Sequence, residues 1–339
     1  MRRINMLSSA HKVKAQGVLS AYIEQVQLVE QGLRDTYKVS LNRMIPGDIN
    51  HYHTIDLKFF LSLPFAKLKG TTVAYVHFVP ETIEESLKLP LFVKKAFYAY
   101  MLRFYRSVDR IVVVNPYFIG VLRTYGIDDK KIAYIPNVVS EKRFYRHSEE
   151  KILAIKQKYA IPSDKFVVLG VGQVQTRKGI SDFVEVARRL PGVQFVWAGG
   201  FSFGSITEGY KELKKIVDHP PENVTFIGII PRDEMNDVYN ACDLMFLPSY
   251  NELFPMSIVE AIALPVPVLL RDLELYRDIL FDHYLKGDSV GDFVRIIAAM
   301  QPKGEDYGKW SDHARQCHAF YSERHVLALW KQFYEGISP

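Results

Sequence analysis

Short runs of apolar, β-branched residues recur along the chain at RRINMLS, TTVAYVHF, DRIVVVN, KIAYIPN, KFVVLGVG, VQFVWAGG, NVTFIG, LMFLPS and VPVLLRD. Between them lie stretches with apolar positions at helical spacing, such as AYIEQVQLVEQGL and ISDFVEVARRL. Uninterrupted apolar strands separated by helices predict parallel sheets covered on both faces. The alternation lapses over residues 138–165, a polar and charged segment that reads as a linker followed by the first helix of a second domain. The pattern therefore predicts an α/β protein of two doubly wound, Rossmann-like domains with a cleft between them. In such folds ligands sit outside the carboxyl ends of the strands.

Composition narrows the class. A chain of 339 residues exceeds what one core usually supports, and 48% hydrophobic with 24% charged residues is the balance of a globular enzyme. No run approaches the roughly 20 apolar residues of a membrane span, and the Met-Arg-Arg start leads into no signal-like segment, so a cytoplasmic protein is expected. Cys242 and Cys317 offer neither a disulfide framework nor metal-ligand spacing. The net charge of +5 hides an asymmetry: residues 1–146 hold 22 Lys/Arg against 12 Asp/Glu, and the remainder 21 against 26. A basic first half suits phosphates, nucleic acid or an anionic membrane.

Candidate chemistry clusters at the expected strand ends. QVQTRKG places Arg177 and Lys178 on the loop entering a helix, where free amides and two cations suit a diphosphate; an exposed, solvated loop is the plainer reading. Gly199 and Gly200 allow close backbone approach or simply a turn. After NVTFIG, the backbone of Ile229 and Ile230 could pair with a planar base. In NELFPMSIVE, Pro255 is tolerated only in the first turn of a helix, so the helix starts there and runs through Glu260 to about Leu264, where Pro265 and Pro267 stop it. Glu252 then lies on the loop and Glu260 in the second turn, two positions in one pocket, unless they merely partner the helix dipole. His77 ends TTVAYVHF, and Gly17 lies between the first strand and first helix, where the backbone could meet a phosphate. G-x-G-x-x-G, the P-loop and Asp-x-Asp are all missing, which argues against a nicotinamide enzyme, an ATPase and the usual acidic metal pair of nucleotide-sugar enzymes.

Taken together, Glu252-x7-Glu260 followed by AIALPVPVLL, preceded by GVGQVQTRKG and KIAYIPNVV, resembles the donor domain of glycosyltransferase family 4. The resemblance implies a GT-B fold with an acceptor domain at 1–145, a nucleotide-sugar domain at 146–316 and a closing helix at 317–339 that crosses back to the first. By that resemblance Glu252 contacts the donor sugar, Glu260 holds the ribose, Arg177 and Lys178 bind the diphosphate, and His77 faces the sugar's 6-position. Gly17, Gln173, Ile229, Leu253, Phe254 and Pro255 complete the expected donor site. The implied reaction is retaining transfer of a hexose from a UDP-sugar, which is a substrate; no cofactor and no metal are expected. Where the family has G-R-x-x-x-E-K-G, this chain has Gly172, Gln173, Arg177, Lys178 and Gly179, and prolines 255 and 265 replace two usual glycines.

INMLSSAHKVKAQGVLSAYIEQ, AYVHFVPETIEESLKLP and LLRDLELYRDILFDHYLKGDS are further similar to Gram-positive enzymes that build glycosyl-diacylglycerol lipids and lipoteichoic acid anchors. That likeness implies UDP-glucose or UDP-galactose as donor, a diacylglycerol or monoglycosyl-diacylglycerol acceptor, and peripheral association with the inner face of the cell membrane. A use for the basic half follows. In LPLFVKKAFYAYMLRFYRSVDR, Lys94, Lys95, Arg103, Arg106 and Arg110 lie on an aromatic helix suited to an anionic bilayer, or face water while the helix packs on its sheet. Two alternatives stand beside this reading: an enzyme acting on capsule, teichoic-acid or protein-linked sugars, and a non-catalytic membrane or nucleic-acid binding protein. Nucleic acid is not expected as a partner, because no recognised binding module occurs.

Overall fold

The computed structural model describes the chain except for residues 11–16, 78, 81–89, 203, 205–206 and 338–339. The described residues divide into two compact units, one holding those up to Val138 together with those from Tyr321 onward, the other Val139–Phe320.

The first unit runs β1 (Arg2–Leu7), α1 (Gly17–Gly32), β2 (Tyr37–Leu41), β3 (Ile49–Tyr52), α2 (Leu57–Lys69), β4 (Thr71–Val76), α3 (Leu91–Ser107), β5 (Arg110–Val113), α4 (Tyr117–Thr124) and β6 (Ile132–Tyr134). Its strands are all parallel in the order β2-β1-β3-β4-β5-β6. The second unit runs α5 (Glu149–Lys158), β7 (Val167–Val171), α6 (Ile180–Arg189), β8 (Gln194–Ala198), α7 (Tyr210–Asp218), β9 (Val224–Gly228), α8 (Met235–Asn240), β10 (Leu244–Leu247), α9 (Met256–Ala263), β11 (Val268–Arg271), α10 (Arg277–Leu280), β12 (Leu285–Gly287), α11 (Val290–Met300) and α12 (Glu305–Phe320). Its sheet, β12-β11-β10-β7-β8-β9, is again parallel. The last helix, α13 (Glu323–Ile337), returns the chain to the first unit.

Both sheets are doubly wound, with helices covering strands whose residues are buried on either face, as the unbroken apolar runs require. Chain order reverses between β1 and β3 in the first sheet and between β7 and β10 in the second, and such switch points open a crevice at the strands' carboxyl ends.

Three strands escape the pattern reading: β2 (YKVSL), β3 (INHY) and β12 (LKG). β3 is buried along its whole length although it contains Asn50 and His51, so its signal is polar where its position is core. Two expectations need correction. Arg110 opens β5 and does not extend a basic stripe on α3, which ends at Ser107 because the backbone turns extended at Val108. The closing stretch is not one helix from His318: it breaks at Tyr321 and Ser322, leaving His318 to Phe320 on α12. Val326, Trp330 and Tyr334 of α13 are buried in the first unit. The Trp330 ring lies 5.4 Å from His51 and 5.6 Å from Tyr75, and the Tyr334 hydroxyl sits 3.0 Å from His51 Nδ1 and accepts from Gln25 Nε2 at 3.2 Å.

Candidate active site

The second sheet's switch pair, β7 and β10, feeds two loops that meet. Leaving β7, the chain forms a 3₁₀ turn over Thr176–Lys178 and enters α6 through Gly179. Gly179 has φ +70°, and a Cβ there would stand 2.3 Å from the Pro248 carbonyl oxygen, so only glycine passes this close to the loop leaving β10. The approach joins two side chains 74 residues apart: Lys178 Nζ donates to Glu252 Oε1. Arg177 adds a second cation 3.6 Å from Glu252 Oε2. Its NH1 donates to the Asn251 carbonyl (3.0 Å), and its Nε to Gln175 Oε1 (3.0 Å), whose amide in turn donates to Gln173 Oε1 (2.7 Å).

Lys178 and Glu252 are both buried. Burial works to raise the Glu252 carboxyl, but the Lys178 ammonium and the Arg177 guanidinium outweigh it and hold the carboxyl below the usual range. Burial likewise pulls the Lys178 ammonium below its ordinary value, against the opposing effect of Glu252. The pair is a buried ion pair whose desolvation is offset by its mutual attraction. Tyr276 lies fully buried nearby: burial, then the Glu252 charge, push its phenol up, and its hydroxyl has no hydrogen-bond partner among the described residues.

The helix following Glu252 begins as expected. Pro255 (φ −69°) is the residue before α9, which ends at Ala263, and Glu260 falls in its second turn. Glu260 is buried, accepting from Arg232 NH1 at 2.6 Å and from the Tyr239 hydroxyl at 2.7 Å. Neither partner was expected. A cation just past the end of β9 was a usable signal for Arg232, whereas Tyr239 had none. Between the two acids, Phe254 is buried and Leu253 and Pro255 are half-buried. Ile229 follows the end of β9 and is exposed, close to where a side chain at Gly200 would lie. Gly199 (φ +144°) permits an approach in which a Cβ would fall 1.8 Å from the Gly172 carbonyl oxygen.

His77 lies in the first unit, just past β4, and is therefore not brought to Glu252 by either sheet. It belongs to an aromatic stack with Tyr75 (4.5 Å) and His53 (5.8 Å), and His53 in turn meets His51 (4.5 Å) and Tyr22 (4.8 Å). Nε2 of His51 and of His77, both His53 nitrogens and the Tyr22 hydroxyl are sealed from solvent with no hydrogen-bond partner among the described residues. Burial pulls His51 and His77 down to about 3 and His53 well below its ordinary value, so these rings are neutral at pH 7. His53, just past β3, and Tyr22, on α1, went unread because a lone histidine after a short polar strand carries no pattern. Gly17 is the first residue of α1, and residues 11–16 of its expected phosphate loop, like residues 81–89 after His77, lie outside the described residues.

On α3, Lys95, Arg103 and Arg106 are exposed and Lys94 is half-buried. Arg106 NH2 donates to the Tyr125 carbonyl at 2.6 Å. Among the described residues no helix is long and apolar enough to cross a membrane, and no group of three or more His, Cys, Asp or Glu side chains is placed to hold a metal ion.

Comparison with known proteins adds two family matches: residues 151–316 match Glycosyl transferases group 1, and residues 40–143 match Glycosyltransferase Family 4. The chain is 42% identical over 333 residues to alpha-galactosylglucosyldiacylglycerol synthase of Streptococcus pneumoniae, covering 98% of this chain and 89% of the relative. It is 26% identical over 251 residues to the processive diacylglycerol alpha-glucosyltransferase of Acholeplasma laidlawii, covering 74% and 73%. Among solved structures, HepE of Anabaena in complex with UDP-glucose superimposes with a TM-score of 0.77 at 16% identity over 100% of both chains. Sucrose-phosphate synthase of Thermosynechococcus elongatus does so at 0.74 and 15% over 99% of both. Identities this low speak to the fold alone, which is GT-B.

Proposed function

This chain belongs to glycosyltransferase family 4, and we propose that it transfers a glucosyl or galactosyl group from a UDP-sugar to a diacylglycerol or monoglycosyl-diacylglycerol hydroxyl, with retention at the anomeric carbon. The observation that carries this reading is 42% identity, over 98% of the chain, to a galactosylglucosyldiacylglycerol synthase.

The site chemistry agrees with it. Cleaving the bond between anomeric carbon and diphosphate leaves negative charge on the leaving phosphate. Arg177 and Lys178, with the first-turn amides of α6, are fixed donors for that charge, and fixed donors stabilise it without reorganising. Lys178 has three N–H groups, so it can keep Glu252 and still meet a phosphate oxygen. The Glu252 carboxylate, held ionised by the same cations, accepts from the donor sugar's hydroxyls. Glu260, oriented by Arg232 and Tyr239, accepts from the ribose. His77, which the family resemblance assigns to the sugar's 6-position, is neutral at pH 7 and not a cation. Leaving-group stabilisation rests on these cations, with no metal ion required. The enzyme works as a peripheral protein at the cytoplasmic face of the membrane, where its acceptor lies.

The test is product analysis with UDP-glucose and UDP-galactose against dioctanoylglycerol and its monoglucosyl form. Formation of an α-linked glycolipid with any of these pairs supports the reading. Donor binding without transfer to either lipid, together with transfer to a water-soluble glycan, would overturn it.

A further inference from the structure

The geometry points to a bilayer-docking face on α2, formed by Leu57, Leu61, Pro64, Phe65 and Leu68 and suited to a membrane carrying anionic lipid. The inference rests on the proposed lipid acceptor.

A helix packed on a sheet normally turns its apolar side inward and its polar side to water. In α2, LKFFLSLPFAKLK, the inward side is in place, with Phe59, Leu63 and Ala66 buried. The outward side is also apolar: Leu57 is 62%, Leu61 63%, Phe65 69% and Leu68 87% exposed. At 3.6 residues per turn these four and Pro64 fall within an arc of roughly 100°, a stripe about 16 Å long. Four large apolar side chains in register form a contiguous exposed patch of the kind that marks an interaction surface.

Charge identifies the partner. Lys58 and Lys69 stand on one rim of the stripe, Lys67 on the other, and the helix contains no acid. Lys67 pairs with Asp109 at 2.9 Å. Cations beside an apolar stripe let the stripe enter the acyl boundary while the ammonium groups stay among anionic headgroups. The neighbouring α3, whose Tyr100 and Phe104 rings lie 5.6 and 6.1 Å from Phe60 of α2, continues the surface. Its exposed residues include Phe92, Lys95, Arg103 and Arg106, again with no acid in the helix. A second copy of the chain fits less well, because a two-fold contact would set these cations against one another.

The full-length protein is co-sedimented with phosphatidylcholine vesicles with and without phosphatidylglycerol, in the absence of both substrates. Leu61→Ser with Phe65→Ser is expected to lower partition by at least about tenfold. Lys58→Gln with Lys69→Gln is expected to lower it by about tenfold on anionic vesicles only. Unchanged partition of the Leu61/Phe65 variant, or no vesicle binding by the native chain, overturns the inference. So does a dimer in analytical ultracentrifugation that the same substitutions dissociate. Should the double variant misfold, Phe65→Cys carrying an environment-sensitive dye reads the same contact, and unaltered emission on vesicles counts against it. Sugar transfer to dispersed dioctanoylglycerol is measured in parallel and is expected to survive in both variants. Loss of that transfer in the native chain would sink the proposed reaction while leaving the docking result to stand on its own.

Discussion

A lysine and a glutamate buried against each other give the second unit its sharpest residue-scale prediction. Glu252→Gln keeps the shape but leaves Lys178 a buried cation without its counter-charge, so urea denaturation is expected to show a loss of about 3–5 kcal/mol. Lys178→Met added to that variant should recover a large part of the loss. If Glu252 holds the donor sugar as proposed, transfer should fall by roughly a hundredfold or more in either case. Acid sensitivity follows from the same residues and from the histidine stack. Glu252 titrates lower when folded, so its contribution is present above the unfolded carboxylate value and disappears as pH falls through the folded one. His51 and His77 ionise only near pH 3 in the fold, whereas the unfolded chain takes up those protons near 6.5. Their contribution is therefore complete above 6.5 and declines as pH falls toward 3. Unfolding free energy between pH 6 and 4 should drop by about 1.4 kcal/mol per pH unit for each histidine, and His51→Phe should flatten the slope by that amount. A slope unchanged in that variant would show that His51 is not buried neutral.

Elements place these groups, and two junctions can be tested as such. Gly179 ends the 3₁₀ turn bearing Arg177 and Lys178 and begins α6, in a left-handed conformation pressed against Pro248. Gly179→Ala is expected to cost about 1–3 kcal/mol and to lower kcat more than it raises the donor KM, because it shifts the cations without removing them. Pro255 sits before α9 at φ −69°, ψ 132°, which other residues also adopt, so Pro255→Ala should change stability by no more than about 1 kcal/mol. At the end of the chain, Trp330 fills the first unit from α13 and is almost fully buried. Trp330→Ala is expected to cost about 3–5 kcal/mol in thermal or chemical unfolding of that unit. The strands bordering the site were legible because their apolar runs leave no other structure open to them. β3 was not, since a central strand carrying Asn50 and His51 offers polar residues where the pattern needs apolar ones.

For the molecule as a whole, the proposed leaving-group stabilisation by cations and helix amides implies transfer that persists in EDTA. Loss of activity on chelation, restored by Mg²⁺, would show that a metal shares the task. The chain by itself determined that there would be two parallel, doubly wound sheets, that Glu252 and Glu260 would fall on opposite sides of a helix start, and that Arg177 and Lys178 would stand where β7 ends. Those are consequences of local sterics and of apolar periodicity, which a linear reading can follow. Tertiary structure alone decided that β7 and β10 lie side by side, and with that neighbourhood came the Lys178–Glu252 pair, since nothing local links residues so far apart. It also decided that Arg232 and Tyr239 hold Glu260, and that three histidines meet in a neutral column of which His51 and His53 are buried. The face of α2 makes the same point. Its sequence is apolar around most of the helix, and periodicity cannot say which apolar side a neighbour will cover; the packing of Phe59, Leu63 and Ala66 inward left Leu57, Leu61, Phe65 and Leu68 facing out.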